Sequence, residues 1–191
     1  MKYHIPAVIF AGGKSSRMGE DKALLPFDGY RTLTHYQYER LQKLFSSVFI
    51  STKEKKFDFE ATLIYDTYHV NSPLGALVTL FETLHVAEVF VLSVDAPFVN
   101  DSVINTIMEN RKEEYDAIIA KTHHGIQPLC GIYRRAILPL AKTALHENQH
   151  KLTQLLHHAN TLYLPFEEET LFANLNHPHE YTKALKMLKK R

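Results

Sequence analysis

The chain has 191 residues, enough for one large domain with a substantial core; 45% are hydrophobic and 23% charged, and the formal net charge is +1. That balance excludes a bulk-basic nucleic-acid binder, and the single cysteine, Cys130, excludes an internal disulfide or a cysteine-based zinc site. No run approaches the roughly 18 apolar residues of a membrane helix, and MKYHIPAVIF is too short an apolar opening for a signal peptide, so a cytoplasmic protein is expected, with neither membrane nor nucleic acid among its partners.

In chain order, short β-rich runs alternate with amphipathic segments, which predicts an α/β fold: a single three-layer domain spanning 1–191 with a mostly parallel sheet. The first strand is predicted at His4–Phe10, apolar without alternation, as in a strand covered on both faces. A helix follows at Leu33–Phe45, then strands at Val48–Thr52 and Thr62–Tyr65. Pro73 opens a helix running to about His85, where its missing N–H costs nothing. A strand at Val89–Val94 precedes a helix at Ser102–Arg111, capped by Asn100 or Asp101. Strands at Ala117–Lys121 and Leu129–Tyr133 and a last helix at Pro178–Lys190 complete the pattern. Ligands of such sheets bind at the carboxyl ends of strands, near the point where strand order reverses. Residues that follow strands are therefore the candidates.

Three of the seven glycines, Gly12, Gly13 and Gly19, cluster directly after the first strand, together with Lys14, Arg17 and Lys22. Glycines let backbone N–H groups approach an anion, and the cations supply charge that polyphosphate would use. A solvated basic turn is the other reading. This is neither a Walker loop, whose first glycine would fall at Val8, nor a Rossmann fingerprint, since Lys14 stands two after Gly12. Asp95 ends the most hydrophobic run, VFVLSVDAPF, where a carboxylate is costly to desolvate without a cation. It reads as a magnesium ligand or as a turn former. Asp66 closes TLIYD in the same way, as a candidate after a strand or as a loop residue. Asn174 and Asn176, two apart, share one side of a strand-like stretch that reads as a strand edge before the helix start at Pro178. The histidine pairs 123–124 and 157–158 are not chelates, His146 and His150 have i, i+4 spacing without a zinc-protease pattern, and the 54–56 EKK run reads as a surface turn.

The segment AGGKSSRMGEDKALLPF resembles the signature L-A-G-G-x-S-x-R-M-G-x-D-K-x-L-L of the molybdenum cofactor guanylyltransferase (MobA) family over some fifteen positions. Asp21, before the lysine, fits the guanylyltransferase branch better than the cytidylyltransferase branch. Weaker similarity continues through YD at 65–66, SPLGAL, SVDAPFV and FANLNHPHEY. The resemblance implies a Rossmann-like nucleotidyltransferase fold that transfers GMP from GTP to the terminal phosphate of molybdenum-molybdopterin, with pyrophosphate leaving. It implies nucleotide contacts at Ala11, Gly12, Gly13, Lys22, Ser51, Asp66 and Asp95, with Arg17 and Lys22 on the phosphates. It further implies Mg2+ on Asp95, and Asn174 and Asn176 beside the cofactor substrate, with Gln127, Pro128 and Lys151 as weaker candidates there. GTP, molybdopterin, and molybdoenzymes or their chaperones are the implied partners. Three positions depart from the pattern: Phe10 for Leu, Ser72 for Gly, and Ser51 for the Asn that the family sets against the nucleotide, with a shorter reach and one polar atom instead of two. The rival readings are a cytidylyl- or other nucleotidyltransferase of this fold, and a non-catalytic nucleotide-binding protein that delivers cofactor.

Overall fold

The computed structural model describes residues 2–13, 18–68 and 72–188. Seven strands form one sheet: β1 (Ala7–Phe10), β2 (Val48–Thr52), β3 (Thr62–Tyr65), β4 (Glu88–Ser93), β5 (Ala117–Thr122), β6 (Gly125–Arg134) and β7 (Thr161–Pro165). Their order is β3-β2-β1-β4-β6-β5-β7, with β6 antiparallel to both neighbours and every other pair parallel. Six α-helices accompany them: α1 (Leu33–Leu44), α2 (Pro73–Leu84), α3 (Asp101–Glu109), α4 (Leu138–His146), α5 (Leu152–His158) and α6 (Pro178–Leu188).

β1 explains the three layers. All four of its residues are buried. Ala7 and Ile9 join a core built with Leu33 and Leu41 of α1, Ile104 and Ile107 of α3 and Ala184 of α6. Val8 and Phe10 join a second core with Leu74 and Leu77 of α2, Ala141 of α4 and Leu155 of α5. Alternate residues of a strand point to opposite faces, so an unbroken apolar run is stable only between two helical layers. Each large side chain so buried contributes about 1.5–3 kcal/mol.

The strand boundaries carry local reasons. β1 begins at Ala7 rather than His4; Pro6 has no N–H and joins the sheet only through its carbonyl, which accepts from Phe90 N at 2.9 Å. β6 runs ten residues instead of the five expected at Leu129–Tyr133. Pro128 is tolerated within it because pairing with β4 ends at Leu92–Cys130, and the β5 register shifts between Ile119 and Lys121. At Gly131 a Cβ would lie 2.3 Å from the Ile118 carbonyl oxygen, so only glycine fits between β4 and β5 there. α5 and the edge strand β7 are absent from the sequence prediction, which for 127–136 gives a core strand and a helix start; α4 begins just beyond, at Leu138. His146 ends α4 and His150 lies outside any helix, so their spacing is not helical.

Strand order reverses between β1 and β4, and the register levels the carboxyl ends across that point: Phe10 faces Ser51 of β2 and Ser93 of β4. Ala11, Thr52 and Val94 come next in their strands, and beyond them Gly12 and Asp95 leave the same edge.

Candidate active site

Asp95 sits two residues past β4 and is 9% exposed. Ser93 Oγ donates to its Oδ1 at 2.5 Å, and the Lys22 ammonium pairs with its Oδ2. The loop that carries it is held from α1: Gln37 Nε2 donates to the Ala96 carbonyl at 3.0 Å, and Arg40 donates to the carbonyls of Pro97, at 2.7 Å, and Val99. A buried carboxylate needs both a partner and a fixed frame, and here the frame comes from a helix 50 to 60 residues away in sequence.

Lys22 is placed by its own short turn. Residues Lys22–Leu24 form a 3₁₀ turn whose cap is Asp21, with Asp21 Oδ1 accepting from Ala23 N at 3.0 Å. Ala23 is buried, and Thr34 Oγ1 ties its carbonyl to the start of α1 at 2.7 Å. From this base Lys22 Nζ reaches both Asp95 and Asn176 Oδ1, the latter at 2.9 Å. Asn176 arrives from the far end of the chain. Leu175 N donates to the Asp95 carbonyl at 2.9 Å, and Glu180 Oε2 accepts from Asn176 N and His177 N at 2.7 and 2.8 Å, locking the entry to α6. Burial works against the ionised Glu180 carboxyl, but these two donors and the charges of His177 and His179 outweigh it and hold its pKa below the ordinary 4.5. Residues 174–176 form no strand; Leu175 is buried while Asn174 and Asn176 both line one cavity, so the shared side survives without the ladder.

Two adjoining cavities meet at this junction. The smaller, about 140 Å³, is lined by Ala11, Gly12, Gly13, Asp21, Lys22 and Asp95. The larger, about 410 Å³, is lined by Asp95, Gln127, Pro128, Lys151, Asn174 and Asn176, together with His150 and Cys130. Asp95 and Ser93 belong to both. Burial pushes the Cys130 thiol up to about 12, which makes it inert as a nucleophile.

On the β2 side of the loop Ser51 Oγ donates to Asp66 Oδ1 at 2.8 Å. A Cβ on Gly12 would stand 3.1 Å from Asp66 Oδ2, tight enough to push the carboxylate aside, which is why this glycine matters. Burial raises the Asp66 pKa above its ordinary 3.8, against the opposing hydrogen bond from Ser51 and the charge of Lys53. Ala11 is less free than a nucleotide-cradling residue would be: its N–H donates to the Ser51 carbonyl at 2.9 Å and its carbonyl accepts from Lys56 Nζ at 3.2 Å. Lys56 corrects the reading of 54–56 as a surface turn, for its side chain is only 13% exposed and also pairs with Asp21 Oδ2 at 2.6 Å. Gln37, Arg40, Lys56 and His150 carry no motif signal; only the tertiary structure brings them in. Arg17 and Lys14, and Asn71 before α2, lie outside the described residues.

A divalent cation fits this donor set. Asp95, Asn174, Asn176 and Ser93 offer oxygen atoms only, and an ammonium already stands against two of them as a cationic stand-in. Among the described residues no cluster of three or more His, Cys, Asp or Glu could hold a metal ion by itself.

The pattern of the MobA-like NTP transferase domain matches residues 7–162. A molybdenum cofactor guanylyltransferase of Campylobacter jejuni is 39% identical over 178 residues, covering 92% of this chain and 93% of that protein. One from Helicobacter pylori is 33% identical over 196 residues, covering 98% and 95%. Among solved structures, molybdopterin-guanine dinucleotide biosynthesis protein A of Archaeoglobus fulgidus superposes with a TM-score of 0.85 at 21% identity, over 98% of this chain and 100% of that one, which establishes the common fold. With the sheet order, the glycine loop after β1 and the carboxylate after β4 already in place, these likenesses make the chain a member of the MobA-like NTP transferase family.

Proposed function

We propose that the chain transfers GMP from GTP to the terminal phosphate of molybdenum-molybdopterin. A phosphate oxygen of the acceptor attacks the α-phosphorus of GTP, the bond from that phosphorus to the bridging oxygen breaks, and pyrophosphate leaves with the electron pair. The observation that carries this reading is the convergence of Lys22, Asp95 and Asn176 on the ridge between two cavities. A transfer between two polyanions needs such a ridge, with a nucleotide on one side, an acceptor on the other and positive charge between them. The names of the relatives at 33–39% identity support guanine as the base.

In this reading the smaller cavity takes the triphosphate, against the backbone of Gly12 and Gly13. Lys22 turns from Asp95 and Asn176 to the β- and γ-phosphates, for which Arg17 is the second cation by the family pattern, and neutralises the charge that develops on departing pyrophosphate. The Ser51–Asp66 pair faces the base side of Gly12, where an ionised carboxylate accepts two guanine N–H groups. The larger cavity takes molybdopterin, with Asn174, Gln127 and Lys151 as its polar contacts. Asp95 and Asn176 would hold Mg2+, which would supply Lewis-acid charge neutralisation at the phosphates. No side-chain nucleophile or general base is required, since a phosphate monoester is already largely ionised near neutral pH.

The test is pyrophosphate release by the purified chain from each nucleoside triphosphate, with and without molybdenum-molybdopterin and Mg2+. Release from GTP alone, dependent on both additions, is expected. Turnover of CTP instead would make the chain a cytidylyltransferase, and no release from any nucleotide would favour the cofactor-delivery reading.

A further inference from the structure

The glycine loop leaves the sheet at Ala11 and is anchored again at Asp21, the cap of the turn that carries Lys22. One side chain from the β2–β3 connection joins these two ends. Lys56 Nζ forms a 2.6 Å ion pair with Asp21 Oδ2 and donates to the Ala11 carbonyl at 3.2 Å, while Asp21 Oδ1 stays on Ala23 N. Its stem lies beside Phe57, with the ammonium 5.6 Å from the ring centroid, and the side chain is 13% exposed. A lysine placed there for solubility alone would keep its ammonium in water.

Two consequences follow from this geometry. Holding Ala11 and Asp21 together beforehand spares part of the ordering that nucleotide binding would otherwise cost. Asp21 also lines the cavity that the polyphosphate enters. Left without its cation, that carboxylate would repel the phosphates and compete for Lys22. At short range and with little water between, such a charge acts strongly.

We infer that Lys56 is a positioning residue for nucleotide binding: it clasps the two ends of the glycine loop and cancels the charge of Asp21, so that the cavity offers the cation of Lys22 to the phosphates. This rests on the cavity being the triphosphate site, as proposed above. Lys56→Met keeps the stem and deletes the charge; Asp21→Asn keeps the cap and breaks the ion pair. GTP KM is expected to rise about tenfold in Lys56→Met and at least threefold in Asp21→Asn. kcat at saturating GTP should stay within about threefold of the parent, because a positioning residue acts on binding and not on the reacting atoms. The double variant should be no worse than Lys56→Met alone, since both changes remove one link. A structural role alone would lower the melting temperature and the active fraction but leave KM where it is. A KM within twofold of the parent in either single variant, or a multiplied rise in the double, overturns the inference. Should Lys56→Met not fold, the Asp21→Asn arm decides. Lys22→Ala is the control: if GTP affinity survives that change, the triphosphate reading itself has failed, whatever Lys56 does.

Discussion

Lys22 holds two acceptors, one in the loop after β4 and one just before α6, and a lysine so placed brings a cation to the site before any ligand arrives. Asp66 is its counterpart on the base side, a carboxylate kept partly against its own preference. Its pKa is raised mainly by burial, so the ionised form costs stability at neutral pH. That cost is absent below about pH 3.8, where the carboxyl is neutral folded or unfolded, and sets in as pH rises through the higher folded value. Asp66→Asn should therefore raise the melting temperature at pH 7 by about 1–3 °C. In the same variant GTP affinity should fall about 10–100-fold, since hydrogen bonds to a charged group are removed. Thermal melts with and without GTP check both signs at once. Asp66, Asp95 and Lys22 were legible in the sequence because each follows a strand or sits in the glycine motif. Lys56, Gln37, Arg40 and His150 were not. Their contacts span 35 residues from Lys56 to Asp21 and 57 to 59 from α1 to the β4 loop, and nothing in KEKK or in the α1 pattern announces them.

Among the elements, α6 ties the end of the chain to the site. Glu180 closes its first turn by accepting from two backbone N–H groups, one of them from Asn176. The Glu180 carboxyl is held below its ordinary 4.5, so its stabilising contribution is present above that pH and is lost as pH falls through the lower folded value. Glu180→Gln should melt below the parent by about 2 °C at pH 7, and the gap should close when both are melted near pH 3. A gap that persists in acid would place the effect in packing rather than in the charged cap. Elements with strong patterns, β1 to β5 and α1 to α3, match the periodicity to within a few residues. The last helix, α6, also matches its prediction at Pro178, but 125–165 was harder to read. β6 contains a proline tolerated only by a register shift, α5 has seven residues, and β7 is an edge strand with one buried side chain. Short or irregular elements of this kind take their form from the rest of the fold rather than from their own pattern.

At the scale of the whole molecule, the sheet does two jobs with one topology. Reversal of strand order between β1 and β4 opens a cleft, and level registers bring four carboxyl ends to its rim. The antiparallel β6 then extends the sheet beneath the larger cavity, which Gln127 to Cys130 line, and the last loop returns Asn174 and Asn176 to close it. Two cavities with a shared carboxylate suit the two-substrate transfer proposed above. The most direct measurement is a crystal structure of the chain with GTP and Mg2+. The account predicts triphosphate density against Gly12 and Gly13, with Lys22 Nζ moved off Asp95 and Asn176 onto the phosphates. Nucleotide bound elsewhere, or Lys22 still bridging Asp95 and Asn176 with GTP in the cleft, would contradict it.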